Sequence, residues 1–394
     1  MLRNTIQTLV RLGAGCSFIV GHSAWAQSSM PMAGPYSPSP ATPDRLVGAS
    51  LPPPASDGFA TVGDPAPPLP PTNQGGPPPL DADPSSVFGG GLGGALPLLN
   101  PTVGNAVFRA DYRSTWLPSA SVIGQGTSLG YVEQDLGIRC PFWQDANNEW
   151  TGSLHVRNEL FQTHAFFPDT GQSFPEELWD IRLATSYRHL FENGWIAGAT
   201  VSIGSASDRP FAGIGEMTAG VNAFLRVPSG DHNAWLFSLS YSSNSEVPIP
   251  IPGVAYVWQP ADNLVLNLGL PFMVMYRPTD DLTLECSYML LTTVHARASY
   301  RLCKPVRIYA GYDWNNESYL PVDRPDVNDR LFYFNQKLSA GVRATLSKNV
   351  ALDLSSGYVF DRYYFEGHSL SDSNHDRIDL GDAPFVSLQC QVHW

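Results

Sequence analysis

Apolar and polar residues alternate strictly towards the C-terminus. Val386, Leu388, Cys390, Val392 and Trp394 fall on one phase, and Ser387, Gln389, Gln391 and His393 on the other. An extended strand points successive side chains to opposite faces, so the pattern predicts a strand with one apolar face. The same pattern holds at 350–360, where Val350, Leu352, Leu354, Tyr358 and Phe360 oppose Asp353, Ser355 and Gly357. It recurs at 294–302, where Val294, Ala296, Ala298, Tyr300 and Leu302 oppose His295, Arg297, Ser299 and Arg301. Further strands are predicted at 195–203, 217–227, 235–241, 264–270, 282–290 and 306–314.

The connections fall into two classes. Glu192-Asn193-Gly194, Pro260-Ala261-Asp262, Pro278-Thr279-Asp280-Asp281 and Ser347-Lys348-Asn349 are short, whereas 204–215, 243–252, 315–330 and 363–383 are long. Pro271 and the Pro248-Ile249-Pro250-Ile251-Pro252 run interrupt the strand pattern, because proline cannot donate to a ladder. No run of about 18 apolar residues is present, as a spanning helix would need. A closed barrel needs only alternate residues to be apolar. The fold class expected is therefore all-β: an antiparallel transmembrane β-barrel of about 12–16 strands over residues 105–394, with short turns on the periplasmic rim and long loops outside.

Three features favour this over a soluble secreted β-protein that binds a surface ligand. Trp195, Trp235, Trp258, Tyr276, Tyr309 and Tyr312 lie near strand ends, where an interfacial girdle belongs. The polar phase mixes small and charged residues, as a wet lumen tolerates. The final Trp394, in strand phase, resembles the C-terminal signal that outer-membrane barrels present to the barrel assembly machinery. The expected location is the cell outer membrane, with its lipid bilayer as the immediate partner.

What precedes the barrel differs in kind. Residues 1–26 read as a secretory signal: Arg3 and Arg11, a short apolar core from Leu12 to Val20, then Ala24-Trp25-Ala26. Residues 27–104 form a Pro/Gly-rich disordered linker, where Pro52-Pro53-Pro54, Pro67-Pro68 and Pro77-Pro78-Pro79 favour extended polyproline II. Fully extended, such a tether reaches on the order of 200 Å, which allows contact with the cell wall; a leader with no partner is the simpler alternative.

Charge narrows the partners. The formal net charge is −13 and becomes −15 once the signal's two arginines are removed. That argues against nucleic acid, which needs a basic face. Cys140, Cys286, Cys303 and Cys390 show no CxxC spacing, so they point to no zinc site.

Several segments are distinctive together: Pro252-Gly253-Val254-Ala255-Tyr256, Asn267-Leu268-Gly269-Leu270-Pro271, Tyr276-Arg277-Pro278, Thr292-Thr293-Val294-His295-Ala296-Arg297, Tyr309-Ala310-Gly311-Tyr312-Asp313-Trp314 and Arg362-Tyr363-Tyr364-Phe365-Glu366-Gly367. In these the chain resembles a domain-of-unknown-function family of outer-membrane β-barrels common in planctomycete-type bacteria. The resemblance covers residues 105–394. It implies the barrel and the envelope location, and it carries no catalytic residues.

Two constellations could carry chemistry. His295, Arg297, Arg301, Arg307 and Glu285 share the expected lumen phase of neighbouring strands. They form either an anion-selecting constriction or an ion-pair network that fills a narrow barrel. Asp372, Asn374, Asp376 and Asp379 place oxygens near the spacing of a calcium loop, although Arg377 stands where such a loop needs glycine. Calcium is the candidate cation; no other cofactor is expected. Enzyme motifs are lacking: there is no GxSxG, HExxH or phosphate-binding glycine loop. His295 and Ser299 share a phase but lie about 13 Å apart along one strand. His155, His189 and His393 have no partner evident in the sequence. The expected function is a non-enzymatic barrel, a passive pore or a structural envelope protein. A membrane-embedded hydrolase is the alternative.

Overall fold

The computed structural model describes residues 102–245, 249–289, 293–324 and 326–394. The expected signal and nearly all of the expected linker lie outside the described residues. In chain order the strands are β1 Arg109–Ser121, β2 Ser128–Gln144, β3 Asn148–Thr163, β4 Glu177–Leu190, β5 Ile196–Ser207, β6 Met217–Pro228, β7 Ala234–Ser242, β8 Ile251–Ala261 and β9 Leu264–Gly269. There follow β10 Phe272–Tyr276, β11 Leu282–Met289, β12 Thr293–Cys303, β13 Val306–Tyr319, β14 Arg330–Ser347, β15 Val350–Gly367, β16 Ile378–Leu380 and β17 Ala383–His393.

From β1 to β15 each strand pairs antiparallel with the next, β16 and β17 both pair with β15, and β1 closes the ring against β17 from Arg109↔His393 to Trp116↔Val386. β16 and β17 occupy one position between β15 and β1, so the closed barrel has sixteen positions. An even number brings the start of the first strand and the end of the last to one rim, where Phe108 stacks on Trp394 at 4.3 Å. Every connection on that rim is short, five residues at most, which by the rule for bacterial barrels makes it periplasmic; the other rim carries the long loops beside the tight Leu270-Pro271 turn.

The two phases of the strands have opposite fates, and this decides between membrane and soluble barrel. The apolar phase faces outwards: Leu183, Leu354 and Leu388 are 57%, 56% and 53% exposed. On the inner phase Glu133, Asp135 and Glu159 are 4%, 3% and 0% exposed. A soluble sandwich would bury the leucines and expose the carboxylates. Exposed Trp150, Tyr187, Trp195, Trp235, Trp258, Tyr276 and Trp394 ring the periplasmic end as an interfacial belt. Tyr309 departs from its expected place in that belt. It lies on the inner phase, donates to Asp353 at 2.5 Å and carries Arg297 over its ring at 4.2 Å. Strand parity, rather than nearness to a strand end, decides which aromatics meet lipid.

Wall height varies around the ring. β14 and β15 run 18 residues each, whereas β9 and β10 run 6 and 5. A crossing takes about 9–11 residues, so the β9–β10 crest lies below the outer boundary of the hydrocarbon. β8 rises past it, pairing with β9 only from Ala255 onwards. Val254 faces that side and accepts from Leu270 N–H, so by parity Pro252 faces it too. Having no N–H, Pro252 leaves no donor on the uncovered edge.

On the tall side, the outer third of the inner phase turns apolar. Leu117, Leu129, Tyr131, Phe161, Leu178, Ala206, Tyr319, Leu331, Tyr333, Val359 and Tyr364 are buried in one cluster. The chain leaving β13 then crosses to the opposite wall. Leu320 N–H donates to Ala206 C=O at 2.7 Å, Val322 N–H to Asp208 at 2.8 Å and Arg324 pairs with Glu216 at 3.3 Å.

Lipid exposure of the outward phase predicts a position-specific cost. Leu354→Arg is expected to lose about 2–4 kcal/mol at the mid-membrane level. The inward Ser355→Arg is expected to lose less. Reversible urea unfolding in lipid vesicles, compared between the two variants, measures both.

Candidate functional site

The inner wall is layered. At the periplasmic level, period-two geometry turns Arg109, Arg139, Arg188, Arg226, Arg301, Arg307 and Arg343 inwards from β1, β2, β4, β6, β12, β13 and β14. Arg301 and Arg307 are register partners, and Arg307 and Arg343 likewise, so three cationic side chains stand side by side. Glu149 answers them at the same level, 3.5 Å from Arg139 and 3.7 Å from Arg188, and Arg343 donates to Gln391 at 2.5 Å.

One level deeper, acidic and basic residues interleave. Arg113 bridges Asp135 at 2.8 Å and Glu133 at 3.2 Å, and His155 meets Asp135 at 3.1 Å. Arg157 on β3 reaches Glu159 at 2.7 Å and, across the lumen, Glu317 on β13. Tyr319 hydroxyl donates to Glu159 at 3.2 Å. Arg157 thus ties two walls that are six strand positions apart, and the lumen narrows there. Such a pair is hydrogen-bonded because an unpaired buried charge costs several kcal/mol.

The five lumen residues named from the sequence fall in two layers. Arg301 and Arg307 belong to the basic periplasmic level. Glu285, His295 and Arg297 lie above it, with Glu285↔Arg297 a register pair. His295 Nδ1 meets Asp313 at 2.5 Å, and its Nε2 is buried with no hydrogen-bond partner. His295 stands in register between Ser287 on β11 and Asp313 on β13.

The larger charged set on β1–β4 was not recovered from the sequence. Its signal was present, in Glu133 and Asp135 on one phase and His155, Arg157 and Glu159 on another. The apolar outer core occupies the same inner phase further along, through Leu129, Tyr131 and Phe161, and this erases the alternation. His155 does have a partner, Asp135, which only strand pairing brings near. His189 also has one: Nδ1 meets Asn148 at 2.7 Å.

The four oxygen-bearing residues of the external loop turn to separate partners. Asp372 accepts the N–H groups of His368 and Ser369, both at 3.0 Å. Asp376 accepts those of Asp169 and Thr170 at 2.6 and 3.0 Å, and Asp169 accepts Asp376 N–H in return at 2.8 Å. Asp379 pairs with Arg377 at 2.7 Å, and Asn374 is exposed. Among the described residues no three His, Cys, Asp or Glu side chains are grouped to hold a metal ion. The loop carboxylates tie backbone instead, docking the β15–β16 loop on the β3–β4 loop. His375 Nδ1 meets Glu366 C=O at 3.2 Å. That hydrogen bond, together with the charges of Asp376, Asp169 and Asp329, raises its pKa above the ordinary histidine range.

No family model matches the chain, and no curated protein matches it. Solved structures do. An outer-membrane channel from Pseudomonas putida F1 is 12% identical, covering 74% of this chain and 96% of its own, with a TM-score of 0.33. A deltaS2S3 mutant of the monoaromatic hydrocarbon channel TodX is 10% identical over 73% and 89%, with a TM-score of 0.37. The translocator domain of the autotransporter NalP from Neisseria meningitidis is 9% identical over 74% and 89%, with a TM-score of 0.29. These likenesses carry no detail of function. The barrel rests on its own strand closure, and the outer-membrane location on its inverted faces.

Two outcomes follow. Arg157→Met leaves Glu159 and Glu317 without their cation, and is expected to cost about 3–5 kcal/mol. Adding Glu159→Gln and Glu317→Gln should recover much of it non-additively, read by urea unfolding of the set. For His375, a raised folded pKa favours the docked loop below the ordinary histidine range. The contribution fades as pH rises through the folded value. The His375 NMR titration midpoint should lie above that of a histidine in an unstructured peptide and fall towards it in Asp376→Asn.

Proposed function

We infer that this protein is a passive outer-membrane pore whose periplasmic entrance favours anions. The observation that carries the reading is the arginine level just inside the periplasmic rim. Sixteen-strand porins leave an aqueous channel, whereas an eight-strand barrel is filled by its own side chains. A ring of one charge sign at a constriction selects the opposite ion. The strap from Leu320 to Arg324 and the apolar core beneath it close the tall side of the outer end. Solutes therefore pass along the β6–β12 side, where the inner positions Gly220, Ser238 and Gly253 are small.

The same apolar core favours a second reading, a permanently sealed structural barrel of the envelope. Planar-bilayer recordings of the purified full chain separate the two. A pore gives discrete conductance steps, with a reversal potential on the anion side in a potassium chloride gradient. Replacing Arg226, Arg301 and Arg307 by Gln is expected to shift that potential towards zero without abolishing the steps. Bilayers that stay silent favour the sealed barrel. An unchanged potential in the triple variant removes the arginine level as the selective element.

A further inference from the structure

Beyond its role as a pore, we propose that Ser287, His295 and Asp313 form a nucleophile–base–orienter row that hydrolyses acyl esters on the lumen side of the barrel's low wall. The three residues sit on consecutive strands, β11, β12 and β13, in direct register and all on the inner phase. Directly opposed residues of antiparallel strands hold their Cβ atoms about 4.5–5.5 Å apart, within reach of a serine–imidazole hydrogen bond. Asp313 takes His295 Nδ1 at 2.5 Å, which fixes the ring and leaves Nε2 as the free nitrogen. That Nε2 is buried and has no hydrogen-bond partner. A nucleophile, a base and a group that orients the base are the roles acyl transfer requires.

The position of the row suggests the substrate. On the side away from His295, Ser287 is two register steps from β9: Met273 on β10 pairs with Ser287, and Asn267 on β9 pairs with Met273. This is the low wall, whose crest falls short of a full membrane crossing. Only an acyl chain that bends over this low crest reaches the inner face, where the adaptable Met273 stands beside the serine. The substrate class is therefore a lipid acyl ester.

The chemistry balances within the row and one water. Ser287 Oγ attacks the ester carbonyl carbon as its proton passes to His295 Nε2. The C–O bond to the alcohol breaks, and the alkoxide leaves with that proton. Water then attacks the acyl-serine, gives one proton to His295 Nε2 and releases the fatty acid. The proton returns to Ser287 Oγ. Asp313 stabilises the imidazolium in both steps. Arg297, one inner-face step along β12 from His295, puts a positive charge on the same face.

The test is an alkyl fluorophosphonate applied to the refolded full chain in lipid vesicles, with the labelled residue located by peptide mass spectrometry. Label is expected on Ser287 and absent in Ser287→Ala. His295→Gln is expected to slow labelling by about 100-fold or more. Asp313→Asn should slow it too, and the labelling rate of the native chain should rise with pH as His295 loses its proton. Heat-modifiable migration confirms that each variant is folded. A p-nitrophenyl acyl ester assay on the unmodified protein gives a second readout that no variant's folding can obscure. The proposal is overturned if Ser287 stays unlabelled and the ester is not turned over. It is equally overturned if folded His295→Gln labels as fast as the native chain. Conductance is independent of both results, so the pore and the row stand or fall separately.

Discussion

Hydrocarbon offers no hydrogen bonds to a backbone, and this requirement governs the rest of the molecule. Every N–H and C=O in the membrane must be paired within the sheet, so the sheet must close. Closure falls to one seam, β1 against β17, where Thr115 and Ser387 hydroxyls lie 2.9 Å apart inside and Phe108 stacks on Trp394 at the rim. Once the seam is made, parity is fixed for all the strands. One phase meets lipid and the other meets its own opposite wall. Where the sheet cannot pair, above the β9 crest, the sequence places Pro252 on the open edge.

The charged interior follows from that parity. Inner-phase residues on the tall side are too close to the facing wall to stay hydrated, and many of their charges meet a counter-charge: Arg113 with Asp135, His155 with Asp135, Arg157 with Glu159 and Glu317. Such networks are weak sources of net stability, but removing one member is costly, so they fix which walls approach. Above them the inner phase changes to Leu129, Tyr131, Phe161, Tyr333 and Tyr364. Burial without charge then seals the outer end. Below them the arginines gather near the periplasmic rim, where water reaches. Polarity along the barrel axis, rather than any single residue, sets what can enter and from which side.

Much of this was legible in the sequence, for reasons that can be named. β15 and β17 could be phased because their outward leucines and valines alternate with small polar residues along most of their length. The short turns were visible because Glu192-Asn193-Gly194 and Ser347-Lys348-Asn349 carry turn chemistry. β2 and β3 were harder. Their inner phase runs from apolar to charged within one strand, so no single alternation survives. The inner charges on β12 were named, but their partners were not. Asp313 lies 18 residues from His295, Asp135 lies 20 from His155, and only register brings them together. Ser287 is hidden for the same cause, since it stands next to His295 across strands rather than along one.

The inverted assignment of faces is the claim from which the lumen, the arginine level and the inner row all derive. Spin labels placed singly from 386 to 392 on β17, in a cysteine-free background in lipid vesicles, test it directly. Collision with dissolved oxygen, which concentrates in hydrocarbon, should be high at 386, 388, 390 and 392 and low at 387, 389 and 391. Equal oxygen access on both phases, or high access to a water-soluble nickel complex at 386 and 388, would contradict a membrane barrel with a polar interior.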